Sequence, residues 1–172
     1  VYGRKKTSCG GIIECVITGV PAGIGDPVFE KLDANLAKAI FSIGAVKGFE
    51  IGDGFLAADA TGLTNNDAFC TDDQGNISKK TNHAGGILGG ISDGSPIIFR
   101  AAIKPTPSIG APQQTVRTDG TPITVEIKGR HDPIIVPRAV VVVETMTALT
   151  LADMILKNMS ADNRKILDFY QK

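Results

Sequence analysis

GIIECVITGVPAGIGDPVFEKLDANLAKAIFSIG, residues 11–44, decides the fold class because two different periods meet inside it. In its first ten residues Ile13, Cys15 and Ile17 point one way and Glu14 and Thr18 the other, the alternation of a half-buried strand. Residues 21–25 are Pro-Ala-Gly-Ile-Gly and break that strand. Asp26 then stands where a helix cap belongs, with Pro27 at the first helical position, where its missing N–H costs nothing. Val28, Leu32, Leu36, Ile40 and Ile43 recur at helical spacing up to Gly44, which predicts one continuous amphipathic helix.

Working outward, strands are expected at residues 46–51, 55–60 and 96–103. Residues 61–81 are polar and aperiodic and read as a long loop, a feature that is often functional in a small domain. Residues 116–128 read as a hairpin turning at Asp119-Gly120, with Ile123, Val125 and Ile127 alternating against polar neighbours. The four valines at 140–143 favour a strand, but Met146, Leu149, Ile155 and Leu156 are spaced for a helix. A helix is therefore assigned from about Pro137, with a short terminal helix after Asp162. A strand, a helix, several strands, a hairpin and a final helix make an α+β fold, an antiparallel sheet packed with helices on one face.

The chain has 172 residues, enough for one domain or half of a larger one, and it is taken as a single domain over 1–172. Eighteen basic residues balance eighteen acidic ones, so there is no field suited to nucleic acid or an anionic membrane. No apolar run approaches the roughly 20 residues that span a bilayer. Three cysteines share no metal spacing, and Cys9 and Cys15 on one strand would lie about 20 Å apart, beyond disulfide reach. No metal site is expected, and a reducing cytoplasm is the implied location. Val1 is not an initiator Met, and the reading is of a chain whose first half lies elsewhere.

Three stretches could carry chemistry. Residues 85–90 run G-G-x-x-G-G, which serves either a tight corner in a crowded core or close approach of a ligand to backbone N–H groups. Arg100, Lys104, Arg117, Arg130 and Arg138 gather near predicted strand ends, suited to carboxylate or phosphate. Gly129-Arg130-His131-Asp132-Pro133 sets a cation, an imidazole and a carboxylate side by side. His131 could shuttle a proton or be an ordinary half-buried histidine, and Asp132 before Pro133 could act chemically or simply close a turn. His83, beside the glycines, reads as packing.

Residues 19–29, 42–52, 82–90, 104–108 and 129–133 resemble, in order and spacing, the C-terminal half of chorismate synthases. The resemblance implies half of a β-α-β-α sandwich, a homotetramer, and trans-1,4-elimination of phosphate from 5-enolpyruvylshikimate 3-phosphate to give chorismate. It implies reduced FMN as cofactor, with a flavin reductant that is NADP-linked in some members. By position, Gly44, Ala45, Gly89, Lys104, Pro105, Thr106, Pro107, Ser108 and Arg130 are implied FMN contacts. Arg130 and His131 are implied to reach substrate, and Asp132 to work with flavin N5 as the catalytic residue. The family's Gly-x-Ser-His-Gly motif and its two catalytic histidines have no match here, so this chain alone is expected to be inactive. The alternative is a non-catalytic flavin- or anion-binding module.

Overall fold

The computed structural model describes residues 6–71 and 73–171, the side chain of Lys165 excepted, so Val1 and most of the basic run after it lie outside the described residues. Strands β1 (Gly11–Ile17), β2 (Val46–Ile51) and β7 (Ile97–Ile103) form an antiparallel sheet in the order β1-β7-β2. Helix α1 (Leu32–Phe41) runs between β1 and β2, and α3 (Val136–Asn158) follows the sheet strands in sequence. Three small hairpins join the larger elements: β3–β4 (Phe69–Thr71, Ile77–Lys79), β5–β6 (Ile87–Leu88, Ile91–Ser92) and β8–β9 (Gln113–Val116, Pro122–Val125). Short helix α2 (Gly62–Asn65) precedes the first hairpin and α4 (Asn163–Tyr170) ends the described chain.

One face of the sheet is dry because the strand alternation is kept in register. Ile13, Cys15 and Ile17 stand opposite Ala101, Phe99 and Ile97, and Phe49 and Ile51 meet Ala101 and Phe99 from the other edge. Leu32, Leu36 and Ile40 of α1 are fully buried at four-residue intervals, and Val143, Thr147, Leu151 and Met154 of α3 join them. Phe49 and Phe99 pack with ring centroids 5.0 Å apart. Burying an aliphatic side chain contributes about 1.5–3 kcal/mol, so these two stripes hold the helices to the sheet.

Several elements depart from the sequence expectation. The long helix does not start at Pro27. Asp26 and Glu30 exchange two backbone hydrogen bonds (2.9 and 3.0 Å), closing a turn in which Val28 adopts φ +72°. Helix α1 starts one turn later, at Leu32, whose N–H donates to the carbonyl of Gly90 at 2.8 Å. The expected strand at 55–60 is a 3₁₀ helix, Gly54–Asp59, because Gly52 and Gly54 at positive φ turn the chain and the Glu50 carboxylate takes the Phe55 N–H. The expected loop at 61–81 holds α2, capped by Thr61, and the β3–β4 hairpin. The later hairpin turns at Asp119-Gly120 as expected but pairs from Gln113. Helix α3 has 23 residues and a mean hydropathy of 1.8 over its best window, long and apolar enough by length and composition to cross a membrane. The expectation of no such run is corrected in that sense, although one stripe of this helix belongs to the core above.

Candidate active site

The site is built where β7 ends. Beyond Ile103 the N–H of Lys104 donates to the carbonyl of Ala45 at 2.9 Å, which ties the start of β2 to the exit of β7. Ala45 sits at φ +72°, an uncommon conformation for a residue with a Cβ, which forces the sharp α1–β2 turn. The 104–108 segment then crosses the chain that leads into α3. Ser8 donates to the carbonyl of Thr106 at 2.6 Å, and Thr106 Oγ1 to that of Asp132 at 3.4 Å. Ser108 Oγ lies 3.2 Å from His131 Nδ1, and His131 Nε2 lies 3.0 Å from the carbonyl of Ile127. Cys9 N–H donates to the carbonyl of Pro133 at 2.9 Å, stitching this connection to the segment just before β1.

Among the described residues, two cations lie near Asp132. Arg138, in the first turn of α3, donates from Nη1 to Oδ2 at 2.9 Å, and Arg130 Nη2 lies 4.0 Å from Oδ1. The Arg130 side chain is 87% exposed and therefore free to swing toward a ligand. Beside this group a cleft of about 360 Å³ is lined by Lys6, Thr7, Glu126, Lys128 and His131 among others. Its rim carries the Lys6–Glu126 ion pair at 3.2 Å.

Gly44, Ala45, Lys104, Pro105, Thr106, Pro107, Ser108, Arg130, His131 and Asp132 are thus gathered at one end of the sheet. Gly89 is not. It lies at the tip of the β5–β6 hairpin, beside the carbonyl that receives the first N–H of α1. The neighbouring Gly85 carbonyl accepts from Ile98 at the opposite end of β7, so six residues of strand, roughly 20 Å at about 3.3 Å each, separate the two groups. The glycine cluster divides the same way. Gly85, Gly86 and Gly90 are buried corners, whereas a methyl on Gly89 would meet none of the described residues within 4 Å. Of the other cations, Arg100 pairs with Glu50 at 2.9 Å on the outer face of the sheet, and Arg117 sits in the hairpin turn.

The sequence reading missed a second polar cluster, at that far end. The Asp67 side chain is 5% exposed and accepts from the N–H groups of His83 (2.8 Å) and Ala84 (3.0 Å) and from the Thr81 hydroxyl (2.7 Å). The Lys79 side chain, 4% exposed, stands 3.7 Å from Asp67 and 2.6 Å from Asp93. Burial pushes the Asp67 carboxyl up, but the Ala84, Thr81 and His83 donors and the Lys79 charge outweigh it and hold the group at about 2. His83 Nδ1 lies 2.6 Å from Asp53. The only signal in sequence was charged residues flanking a glycine cluster, and only the β3–β4 hairpin brings them together.

The sequence model of the chorismate synthases matches residues 2–156. The chain belongs to the chorismate synthase family. The chorismate synthase of Agathobacter rectalis is 72% identical over 169 residues, which cover 98% of this chain and 46% of that protein. That of Lachnoclostridium phytofermentans is 69% identical over 165 residues, 96% of this chain and 45% of the relative. A crystal structure titled as chorismate synthase superposes with a TM-score of 0.74 at 31% identity, over 98% of this chain and 45% of that one. The chain spans about half the length of the curated chorismate synthases it matches.

Proposed function

We propose that this chain works as part of a chorismate synthase, a lyase of aromatic amino acid biosynthesis that eliminates phosphate from 5-enolpyruvylshikimate 3-phosphate with reduced FMN present. The observation that carries the reading is the convergence of the 104–108 segment, the Gly44-Ala45 turn and Arg130 to Asp132 at one sheet end. The residues fit a flat anionic cofactor rich in hydroxyls. A methyl on Gly44 would meet none of the described residues within 4 Å, so a ring system can lie against backbone there. Lys104 and Arg130 are exposed cations suited to a phosphate, and Thr106 and Ser108 bring hydroxyls. Bound reduced FMN would lend electron density as the substrate C–O bond breaks. The chain's own residues orient the reactants and neutralise their charge. Asp132, fixed by Arg138, presents Oδ1 beside Arg130, where it can hold or pass a proton while Arg130 turns to the substrate carboxylates.

In this reading the described residues form one half of a β-α-β-α sandwich. The outward residues of α3, among them Val141, Leu149 and Leu156, are exposed and apolar and suit the packing of a second sheet-and-helix half. A homotetramer would let Gly89 serve a flavin bound by another copy. The location proposed is cytoplasmic, and the reductant an NADP-linked flavin reductase activity, within the protein or separate from it. Asp132→Asn in the full-length enzyme is expected to leave FMN affinity largely intact and to lower turnover by orders of magnitude, measured by chorismate formation under anaerobic conditions. Near-normal turnover removes Asp132 from the mechanism. One observation favours binding without turnover for these residues in isolation. Both ring nitrogens of His131 are engaged by the protein, and His83 lies at the far end of the sheet.

A further inference from the structure

The direction of the hydrogen bonds around His131 says which kind of ligand group the 104–108 segment can meet. A carbonyl oxygen only accepts, so the Nε2 of His131, 3.0 Å from the carbonyl of Ile127, carries a proton. In the neutral ring Nδ1 is then a bare lone pair, and the Ser108 hydroxyl 3.2 Å away donates to it. Thr106 is arranged alike, its hydroxyl donating, at a longer 3.4 Å, to the carbonyl of Asp132. A hydroxyl has one proton. Once it is directed into the protein, the oxygen faces outward with lone pairs only.

We propose that Ser108, seconded by Thr106, meets a ligand as a hydrogen-bond acceptor, and that His131 is a positioning residue that sets this polarity. The partner is a ligand hydroxyl or N–H, as on a ribityl chain or flavin ring. A phosphate oxygen, itself an acceptor, is left to Lys104 and Arg130. This rests on the flavin-site reading above and refines it, since His131 then acts through Ser108 and makes no contact with substrate. Among the described residues, the charged groups around the ring are the Lys6–Glu126 pair and Lys128 across the cleft, Arg130 and Asp132 on either side, and Arg138 beyond Asp132. Protonation of the ring would make Nδ1 a donor and turn the Ser108 hydroxyl outward, so the polarity belongs to the neutral ring.

Two measurements on the full-length protein test this. Imidazole ¹⁵N NMR of the ligand-free protein above pH 7 is expected to show His131 as the Nε2-protonated tautomer, with its Nδ1 resonance moving in Ser108→Ala. The Nδ1-protonated tautomer overturns the proposal and leaves the flavin reading standing. Dissociation constants for oxidised FMN and for riboflavin supply the second. Ser108→Ala and His131→Leu should each weaken both flavins by the same roughly 3- to 10-fold. The double variant should be no worse than the worse single one, and His131→Asn, which keeps an acceptor near the Nδ1 position, should recover most of the loss. Loss confined to FMN would mean that Ser108 serves the phosphate, and additive losses would mean that His131 touches the ligand itself. Either result overturns the proposal. Failure of the unsubstituted protein to bind either flavin overturns the cofactor site and this role together.

Discussion

Replacing Asp67 by Asn tests whether the buried charge cluster at the far end of the sheet holds the glycine corner in place. The Asp67 carboxylate accepts two backbone N–H groups and a hydroxyl and faces Lys79, and these interactions bring it from 3.8 to about 2. At 1.36 kcal/mol per pKa unit the depression amounts to about 2 kcal/mol of folding stability. The folded value is the lower one, so this stability is complete above the unfolded pKa and is lost as pH falls through the folded one. About half of it is gone near pH 3, by the same linkage. The side chain is 5% exposed, so solvent screening takes little from the figure. Asp93 is also held low. Burial raises it, and its bonds from Lys79 and Ser95 more than compensate; because it shares Lys79 with Asp67, its response is part of the difference read between the two proteins. The assay is urea unfolding of the full-length protein and of Asp67→Asn from pH 7 to pH 3, with amide exchange at His83 and Ala84 as a local reporter. The variant should be less stable by about 2 kcal/mol at pH 7, and the gap should close to about half by pH 3. A gap that stays constant across that range would refute the assignment, because a carboxamide then costs the same whether or not the native group is ionised.

Three further substitutions probe the backbone. Val28 holds φ +72° and is 82% exposed, so Val28→Asn should raise stability by about 1 kcal/mol, seen as a higher melting temperature; an unchanged or lower one would mean that the turn carries no strain. Gly85 has φ +66°, and a Cβ there would clash with the Gly52 nitrogen and stand 2.8 Å from the Ile98 carbonyl oxygen. Gly85→Ala should therefore cost about 3 kcal/mol or more, whereas Gly89→Ala, with open space but a positive φ, should cost only about 1–2 kcal/mol. Equal losses in a urea titration would contradict the division of the cluster into packed and open glycines.

What could be read from sequence follows from how far apart the deciding contacts lie along the chain. The inner-face alternation of Ile13, Cys15 and Ile17 and the stripe Leu32, Leu36, Ile40 are set by local periodicity, and both survive in the structure. The start of α1 is decided instead by the carbonyl of Gly90, 58 residues away, and by a turn that Asp26 and Glu30 close between them. Composition at residues 26–31 could not reveal either. The same distinction governs the site. Arg130, His131 and Asp132 are neighbours in sequence, and joining them to residues 104–108 needed only the strand-end geometry. Gly89 is grouped with Gly44 by the family resemblance alone, yet the length of β7 places them at opposite ends of the sheet. The polarity of Ser108 was the least legible feature. It depends on which ring nitrogen of His131 is protonated, that depends on the carbonyl of Ile127, and the bond forms only because the chain folds back between β9 and α3. Residue types alone showed that a hydroxyl and an imidazole were available. Whether the hydroxyl gives or takes a hydrogen bond is fixed by a backbone oxygen that no side-chain motif records.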